Sequence, residues 1–280
     1  MPLSTDGLSA ALKRLVGPVY VPVFFVSRAW AGVTPALPAY LTGLGAGLAF
    51  VGVVVSMRGV GQVVSDLPGG MIISRFGLER VVTLSYILSI VANSGLIVAR
   101  SLPVITLLVF LSGLFSSILI TGIMTYVRLT VPALIRGRAL SLVGGSLRVG
   151  ALVGPVIGGL LADTLGMGWV FGLRTTAQIV GLISFAATVG RHEDVRATSQ
   201  SVRVQSQALF AGIADRIPAL LSVGFAILIL SLLRASRSIV LPLWGEHLGM
   251  SATIIGVVMS IGAAFEIGRA SCRERVSFTV

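Results

Sequence analysis

The stretch Gly150-Ala151-Leu152-Val153-Gly154-Pro155-Val156-Ile157-Gly158-Gly159 decides the fold of this 280-residue chain. It lies in an apolar run, from about residue 140 to 162, whose one charge is Arg148. Glycines recur there every four residues, so on a helix they form a stripe on which a second helix can pack closely. In water, each glycine costs a helix about 1 kcal/mol and an interior proline about 3. In a bilayer the backbone must bond to itself. We therefore predict a membrane helix whose packing motif is Gly150, Gly154, Pro155, Gly158 and Gly159.

The composition independently favours a membrane protein. The chain is 55% hydrophobic and 11% charged, with a mean hydropathy of +1.00. These are too few charges to cover a soluble domain of this size. A hydrocarbon core needs about 20 apolar residues per helix. Runs of that kind predict an all-α, multi-pass protein with helices at 17–41, 48–73, 80–99, 103–127, 139–162, 168–190 and 218–243, and an eighth from about 252.

The net charge of +11 raises the alternative of a nucleic-acid partner. The distribution of the basic residues argues against nucleic acid, because Arg100 alone falls in a loop opposite the others. This asymmetry follows the positive-inside rule and places the N-terminus in the cytoplasm and the protein in the cell membrane. The residues predicted on the cytoplasmic side are Lys13, Arg14, Arg75, Arg80, Arg128, Arg136, Arg138, Arg191, Arg196, Arg203 and Arg216.

A second motif lies between predicted helices 2 and 3, in residues 70–80. It resembles the cytoplasmic loop signature of the major facilitator superfamily, and the fifth-helix motif resembles the export and antiport branch of that superfamily. The resemblance implies a six-helix bundle followed by a second bundle, and a loop that forms a charge latch against neighbouring helix ends. Ser74 occupies the usual aspartate position, which weakens the latch. The motif residues are Gly70, Ser74, Arg75, Gly77 and Arg80.

A third signature of this superfamily, an arginine three residues before Gln-Gly in helix 4, survives only as a remnant. Val109 stands at the arginine position and Ser112 at the glutamine position. The superfamily ties that arginine to proton-coupled drug export. Its absence argues against proton coupling through this arginine. A proton nevertheless stays a candidate coupling ion.

An internal repeat predicts two halves. A shift of 204 residues aligns 37–56 with 241–260 and gives eight identities in twenty positions. Parallel halves of six helices would produce such a repeat. We therefore predict an N-terminal bundle over 1–190, a cytoplasmic linker over 191–217 and the start of a second bundle over 218–266.

The tail over 267–280 interrupts the pattern. Four charges fall at Arg269, Arg273, Glu274 and Arg275, where the second half of helix 8 is expected. A helix over 252–267 would be about 24 Å long, too short to cross. The decapeptide 267–276 also resembles the translation of a sequencing adapter. We therefore expect a truncated chain with a non-native tail. Cys272 lies in this tail, so no function is assigned to it.

Charges within the predicted membrane helices are the candidates for substrate contact, because each costs about 2.5–3.5 kcal/mol at a helix centre. Arg58, Gln62 and Asp66 are spaced by four and form a polar stripe on helix 2, with a structural network and a cavity lining as open alternatives. The uncharged Trp30 and Gln62 are further cavity candidates, and the charged candidates are Arg28, Arg58, Asp66, Arg148, Arg174, Arg234 and Arg237.

Helical phase and the resemblance rank these candidates. Arg148 points about 160° away from Gly150. The resemblance implies that the glycine stripe meets helix 8, so Arg148 would turn into its own bundle, where a structural role is favoured over substrate contact. Arg28, near Trp30, is the preferred cavity residue because helix 1 lines the cavity in relatives, and Arg234 and Arg237 occupy comparable positions on helix 7.

These observations favour a secondary transporter that moves a small molecule by alternating access. Six intramembrane arginines accompany one aspartate, which favours an organic anion as substrate. Lipophilic drug efflux, a non-transporting receptor or scaffold, and a non-functional fragment are the alternatives. An enzyme is disfavoured, because no cluster of His, Cys or paired carboxylates falls at membrane depth, and no cofactor or metal is predicted.

Overall fold

The computed structural model describes residues 15–189, 229, 236 and 239–277, and in these ranges the chain is helical apart from short turns. No strand occurs in them. The predicted all-α membrane fold is therefore confirmed. The elements are a π-helical turn Val16–Tyr20, α1a Val21–Val33, α1b Leu37–Gly43, α2 Leu48–Phe76, α3 Leu78–Val98, α4 Leu102–Thr130, α5 Ala133–Leu165, α6 Met167–Val189, helical residues 239–247 (α7), and α8 Ala252–Ser277.

Five of these helices are long and apolar enough to cross a membrane, namely α2 to α6. They correspond to predicted helices 2 to 6. The largest difference is at α5, which begins at Ala133 rather than near residue 139. It runs through Pro155 without interruption and has 33 residues, about 50 Å of helix. This length exceeds the hydrocarbon core, so part of α5 lies outside it.

The first helix is broken, whereas the sequence predicted one helix over 17–41. Residues 34–36 form a turn between α1a and α1b. Pro38 lies in the first turn of α1b. Proline has no N–H to donate, and its ring clashes with the carbonyl four residues earlier, so a continuous helix through this position is disfavoured. The break brings α1b to the end of the bundle that carries Arg100, which we call the Arg100 end.

The second half is described only in part. The linker at 191–217, most of predicted helix 7, and both Arg234 and Arg237 lie outside the described residues. Helix α8 begins at Ala252, as predicted, and continues to Ser277. Its apolar part ends at Glu266. The non-native origin of the tail remains a prediction.

The helices of the N-terminal bundle pack through glycine. A Cβ on Gly61 of α2 would lie 2.9 Å from the backbone N of Leu114, and one on Gly113 of α4 would lie 2.9 Å from the Cα of Arg58. Neither contact leaves room for a side chain. The two backbones therefore touch, and Arg58 starts from the interior side of α2.

The predicted repeat is visible in the backbone of two turns. Gly45 has φ +87° and Gly249 has φ +71°, a region that glycine tolerates best. Gly45 N donates to Thr42 O at 2.8 Å, and Gly249 N donates to Glu246 O at 2.9 Å. The helices that follow begin at Leu48 and Ala252. Each of these pairs is offset by 204 residues, the shift read from the sequence.

Candidate functional site

Two arginines and a tryptophan from three helices form a stack inside the bundle. The guanidinium carbon (Cζ) of Arg58 on α2 lies 3.4 Å from the ring centroid of Trp30 on α1a. The Cζ of Arg174 on α6 lies 4.2 Å from the centroid of that tryptophan. Both distances are within cation–π range. We call this group the arginine–tryptophan stack (Trp30, Arg58 and Arg174). Because both guanidinium groups contact one ring, the two cations lie close together.

Helix α4 supports both arginines. Gly113 lets α4 approach the backbone of Arg58, as the packing of α2 on α4 shows. The adjacent Ser112 accepts a hydrogen bond of 2.6 Å from Nη2 of Arg174. The Arg174 side chain is only 2% exposed, whereas Arg58 is partly exposed. Helix α4 therefore holds the stack, and Arg58 is the more exposed of its two arginines.

A chain of buried amides and hydroxyls continues behind Arg174. Ser112 Oγ donates to Oδ1 of Asn93 on α3 at 3.3 Å. Asn93 Nδ2 donates to Oε1 of Gln178 on α6 at 2.8 Å, and Gln178 Nε2 donates to Ser89 Oγ at 2.6 Å. This polar network (Ser89, Asn93, Ser112 and Gln178) joins α3, α4 and α6, and it fixes the acceptor that Arg174 uses.

The polar network was not predicted from the sequence, although a signal was present. Ser89 and Asn93 are four residues apart on α3, and Arg174 and Gln178 are four apart on α6. Such spacing in an apolar helix places polar groups on one buried face. Their mutual contact could not be read, because it depends on which helices are neighbours.

The stack has unfilled hydrogen-bond donors. Nε of Arg58 and Nη1 of Arg174 are buried and have no hydrogen-bond partner. Among the residues that the structure describes, no carboxylate lies next to either guanidinium. A cation–π contact returns up to about 2 kcal/mol when desolvated, less than the cost of a charge at membrane depth. Trp30 therefore offsets part of that cost, and the geometry favours an added anion.

The polar stripe of α2 divides between two neighbours. Arg58 contacts Trp30, whereas Asp66 accepts a hydrogen bond from Ser117 Oγ of α4. Gln62, between them, is partly buried. Both open alternatives therefore have an observation in their favour: Asp66 ties α2 to α4, and Arg58 belongs to a group with unfilled donors.

Arg28 and Arg148 lie apart from the stack. The Cζ of Arg28 lies 4.8 Å from the ring centroid of Phe24 on its own helix. Arg148 is exposed, so its predicted orientation into its own bundle is wrong. The sequence ranked Arg28 first and left Arg174 unranked, because helix phase alone does not show which arginine meets Trp30.

The glycine stripe of α5 packs on α1a, which corrects the partner implied by the family resemblance. A Cβ on Gly154 would lie 2.6 Å from Arg28 O. One on Gly150 would lie 2.8 Å from Ser27 Cβ, and one on Gly158 would collide with the backbone of Gly32. The stripe packs against a small residue, Gly32 of α1a, so the backbones of α5 and α1a can touch there.

A second face of α5 meets α8. A Cβ on Gly159 would lie 2.7 Å from the carbonyl carbon of Ala252 and 2.9 Å from the Cα of Thr253, and one on Gly256 would lie 2.8 Å from the carbonyl carbon of Pro155. Successive residues of a helix point about 100° apart. Gly158 and Gly159 therefore serve different partners. We call the second contact the α5–α8 seam (Pro155, Gly159, Ala252, Thr253 and Gly256).

Polar contacts close the seam at the Arg100 end. The carboxylate of Asp163 on α5 accepts hydrogen bonds from the backbone N of Ala252 at 3.2 Å and of Thr253 at 2.8 Å, and from Thr253 Oγ1 at 2.6 Å. One half thereby caps the first turn of a helix in the other half. Thr42 Oγ1 also donates to Glu246 Oε1 at 2.6 Å. These two residues are equivalent in the 204-residue repeat, so the contact lies between the halves.

The signature loop lies at the opposite end of the bundle. Gly77 has φ +89° and links α2 directly to α3, so it makes the tight reversal. Ser74 Oγ donates to Met71 O of its own helix at 2.8 Å, and the Cζ of Arg75 lies 5.5 Å from the Phe76 ring centroid. Gly70 and Arg80 are exposed. The latch expected at this loop remains a prediction.

Comparisons with known proteins agree with this architecture. The chain is 26% identical over 227 residues to the enterobactin exporter EntS of Escherichia coli O1:K1 / APEC, and 27% identical over 228 residues to that of Shigella boydii serotype 18. Each alignment covers 79% of this chain and 53% of the relative. The chain therefore spans about half the length of these relatives.

Solved structures give the same fold. A D-xylose–proton symporter aligns with a TM-score of 0.63 and 16% identity, over 90% of this chain and 65% of that one. A peptide transporter POT in complex with sulfate aligns with a TM-score of 0.60 and 20% identity, over 78% of this chain and 46% of that one. The model of the Major Facilitator Superfamily matches residues 20–272. The chain belongs to the Major Facilitator Superfamily.

Proposed function

We propose that the full protein is a secondary active transporter that exports a small organic anion by alternating access. Membership of a transporter family and the likeness to an exporter support the class. The α5–α8 seam is the observation that carries the mechanism. Its contacts at Gly159 and Gly256, where a glycine of one helix meets the backbone of the other, join the N-terminal bundle to the first fully described helix of the second half.

Such a seam suits rocking of one half against the other. Glycine surfaces can separate without breaking interdigitated side chains, and the polar contacts of Asp163 and Thr42 are close enough to the Arg100 end to act as its closure. In this proposal the conformation of the structure is closed at the Arg100 end. The opposite end carries Arg75 and Arg80 and faces the cytoplasm, following the loop charges.

The unpaired arginines support the organic anion. A buried guanidinium is stabilised by a charge-assisted hydrogen bond to an oxyanion, and Nε of Arg58 and Nη1 of Arg174 have no hydrogen-bond partner among the described residues. Export, rather than uptake, follows the exporter relatives and the fifth-helix motif. A proton remains the proposed coupling ion.

The test is transport by the full-length gene product in proteoliposomes. Radiolabelled carboxylates and a panel of lipophilic dyes are offered in parallel, with and without a protonophore. We expect carboxylate movement that the protonophore abolishes. Dye movement alone would support drug efflux instead, and movement of neither would contradict the proposal.

A cross-link tests alternating access in the same assay. The variant Asp163→Cys/Thr253→Cys, made with Cys272→Ser, joins α5 to α8 through a short reducible cross-linker. We expect transport to stop on cross-linking and to return on reduction. The matched control Thr164→Cys/Thr253→Cys carries its first cysteine at a residue whose hydroxyl bonds its own helix. Undiminished transport by the cross-linked protein would contradict rocking at this seam.

A further inference from the structure

We infer that the arginine–tryptophan stack is a binding site for an oxyanion group, a carboxylate or a phosphate, carried by the transported molecule. The inference rests on the proposed function and deepens it by naming the group recognised and the donors that recognise it. These donors are Nε of Arg58 and Nη1 of Arg174, the two buried atoms of the stack without a hydrogen-bond partner.

The charge of the stack favours a bound anion. Arg58 and Arg174 share one indole ring, at 3.4 and 4.2 Å from its centroid. Two like charges at this separation repel each other in a medium of low dielectric constant. An anion beside both of them offsets this repulsion with two attractions. No carboxylate of the described residues does this.

The donors of the stack are preorganised. Arg174 is fixed through Nη2 on Ser112, and the polar network fixes Ser112 in turn. This leaves Nη1 as an unfilled donor in a held geometry. A planar guanidinium matches the two oxygens of a carboxylate or phosphate. The site therefore loses little conformational freedom when the anion binds.

The two arginines of the stack differ in exposure. Arg174 is 2% exposed, but Arg58 keeps part of its surface exposed. In this inference the anion therefore approaches the stack along Arg58, its more exposed arginine. Trp30 stabilises both cations while the site is empty, and its indole reports on any change in their position.

Trp30 makes the test direct. In the full-length protein in nanodiscs, every other tryptophan is replaced by phenylalanine, which in this chain means Trp169→Phe and Trp244→Phe. Benzoate, succinate and inorganic phosphate are titrated against chloride at constant ionic strength while Trp30 emission is recorded. We expect a saturable change with at least one of the three probes and none with chloride.

Substitutions then assign the change to the stack. Arg58→Gln and Arg174→Gln each weaken binding about tenfold or more, because each removes a charge-assisted hydrogen bond. Arg174→Lys keeps the charge and retains part of the affinity. The matched control Arg138→Gln, at an exposed arginine outside the stack, leaves the affinity unchanged. Thermal unfolding of each variant verifies that it is folded.

Each outcome distinguishes this inference from the proposed function. The absence of a saturable response to every probe would overturn the inference. So would a response in Arg58→Gln and Arg174→Gln as strong as that of the parent protein. Transport of carboxylates with normal rates in both variants would leave the proposed function intact and place the anion elsewhere. Binding at the stack without any transport would support the site and contradict the transporter.

Discussion

The α5–α8 seam and the arginine–tryptophan stack treat polar groups in opposite ways. At the Arg100 end of the seam, Asp163 receives three hydrogen bonds across the two halves. In the stack, Arg58 and Arg174 each keep a buried N–H without a partner. Polar groups at the seam therefore have hydrogen-bond partners, whereas two buried N–H groups beside Trp30 have none among the described residues. The comparison separates a contact that closes the structure from one suited to a ligand.

The largest effect is expected from adjacent glycines on α5 that face different partners. Gly158→Val drives a side chain into the backbone of Gly32 within the bundle, whereas Gly159→Val drives one into α8. We expect Gly158→Val to lower the free energy of unfolding by about 3 kcal/mol or more, because neither backbone can move aside. Gly159→Val should leave the bundle folded and separate the halves.

Thermal unfolding measures the first effect of this pair. The second is measured by the distance between spin labels at Leu48→Cys and Leu248→Cys, two exposed positions at the Arg100 end. This label pair is made with Cys272→Ser. Equal effects of both glycine variants on both measurements would contradict the distinction between the two faces of α5.

Loss of the cap at the seam is the next largest effect. Asp163→Ala removes the acceptor for two backbone N–H groups of α8 and for Thr253. We expect the closed state to lose about 2 kcal/mol, the upper range for a helix cap, so the label pair should report a longer distance. Thr164→Val, whose hydroxyl bonds its own helix, is the control. A distance unchanged by Asp163→Ala would show that the cap does not hold the seam.

The polar network should show coupling rather than simple addition. Asn93→Leu leaves the buried Gln178 Oε1 without its donor, and we expect a loss of about 1–2 kcal/mol in unfolding free energy. Asn93→Leu/Gln178→Leu removes both partners and should cost less than the sum of the single variants. Additive losses in chemical unfolding would indicate that the two amides do not act together.

The smallest effect concerns the pair related by the repeat. Thr42→Val removes the hydrogen bond to Glu246, with an expected cost of about 0.5–1 kcal/mol to the closed state. Thr42→Ser keeps the hydroxyl and should match the wild type. The label pair measures the difference. A shift as large as that of Asp163→Ala would contradict a lesser role for the Thr42–Glu246 contact than for the helix cap.

The fold could be predicted from the sequence because a helix that crosses a lipid bilayer needs a long run of apolar residues. Helices α2 to α6 follow from apolar length, and the offset of 204 residues reappears in the turns at Gly45 and Gly249. The break before Pro38 was readable in principle from proline chemistry, yet the apolar run concealed it. Helix length and turn geometry are local properties, so they can be predicted from the residues of one segment.

The candidate site was less readable because it depends on neighbours. The sequence identified Arg58 and Trp30 as candidates but preferred Arg28, which contacts Phe24 on its own helix. It also assigned the glycine stripe to helix 8, whereas Gly154 and Gly158 pack on α1a. Which face meets which helix depends on three-dimensional packing, and no spacing along one helix shows that.

The distance between labels at Leu48→Cys and Leu248→Cys in the otherwise intact full-length protein tests the central claim most directly. The account predicts two populated distances in nanodiscs, a short one for the closed seam and a long one for the separated halves. Asp163→Ala should increase the long population. A single distance that neither Asp163→Ala nor Gly159→Val changes would contradict movement of the two halves about the α5–α8 seam.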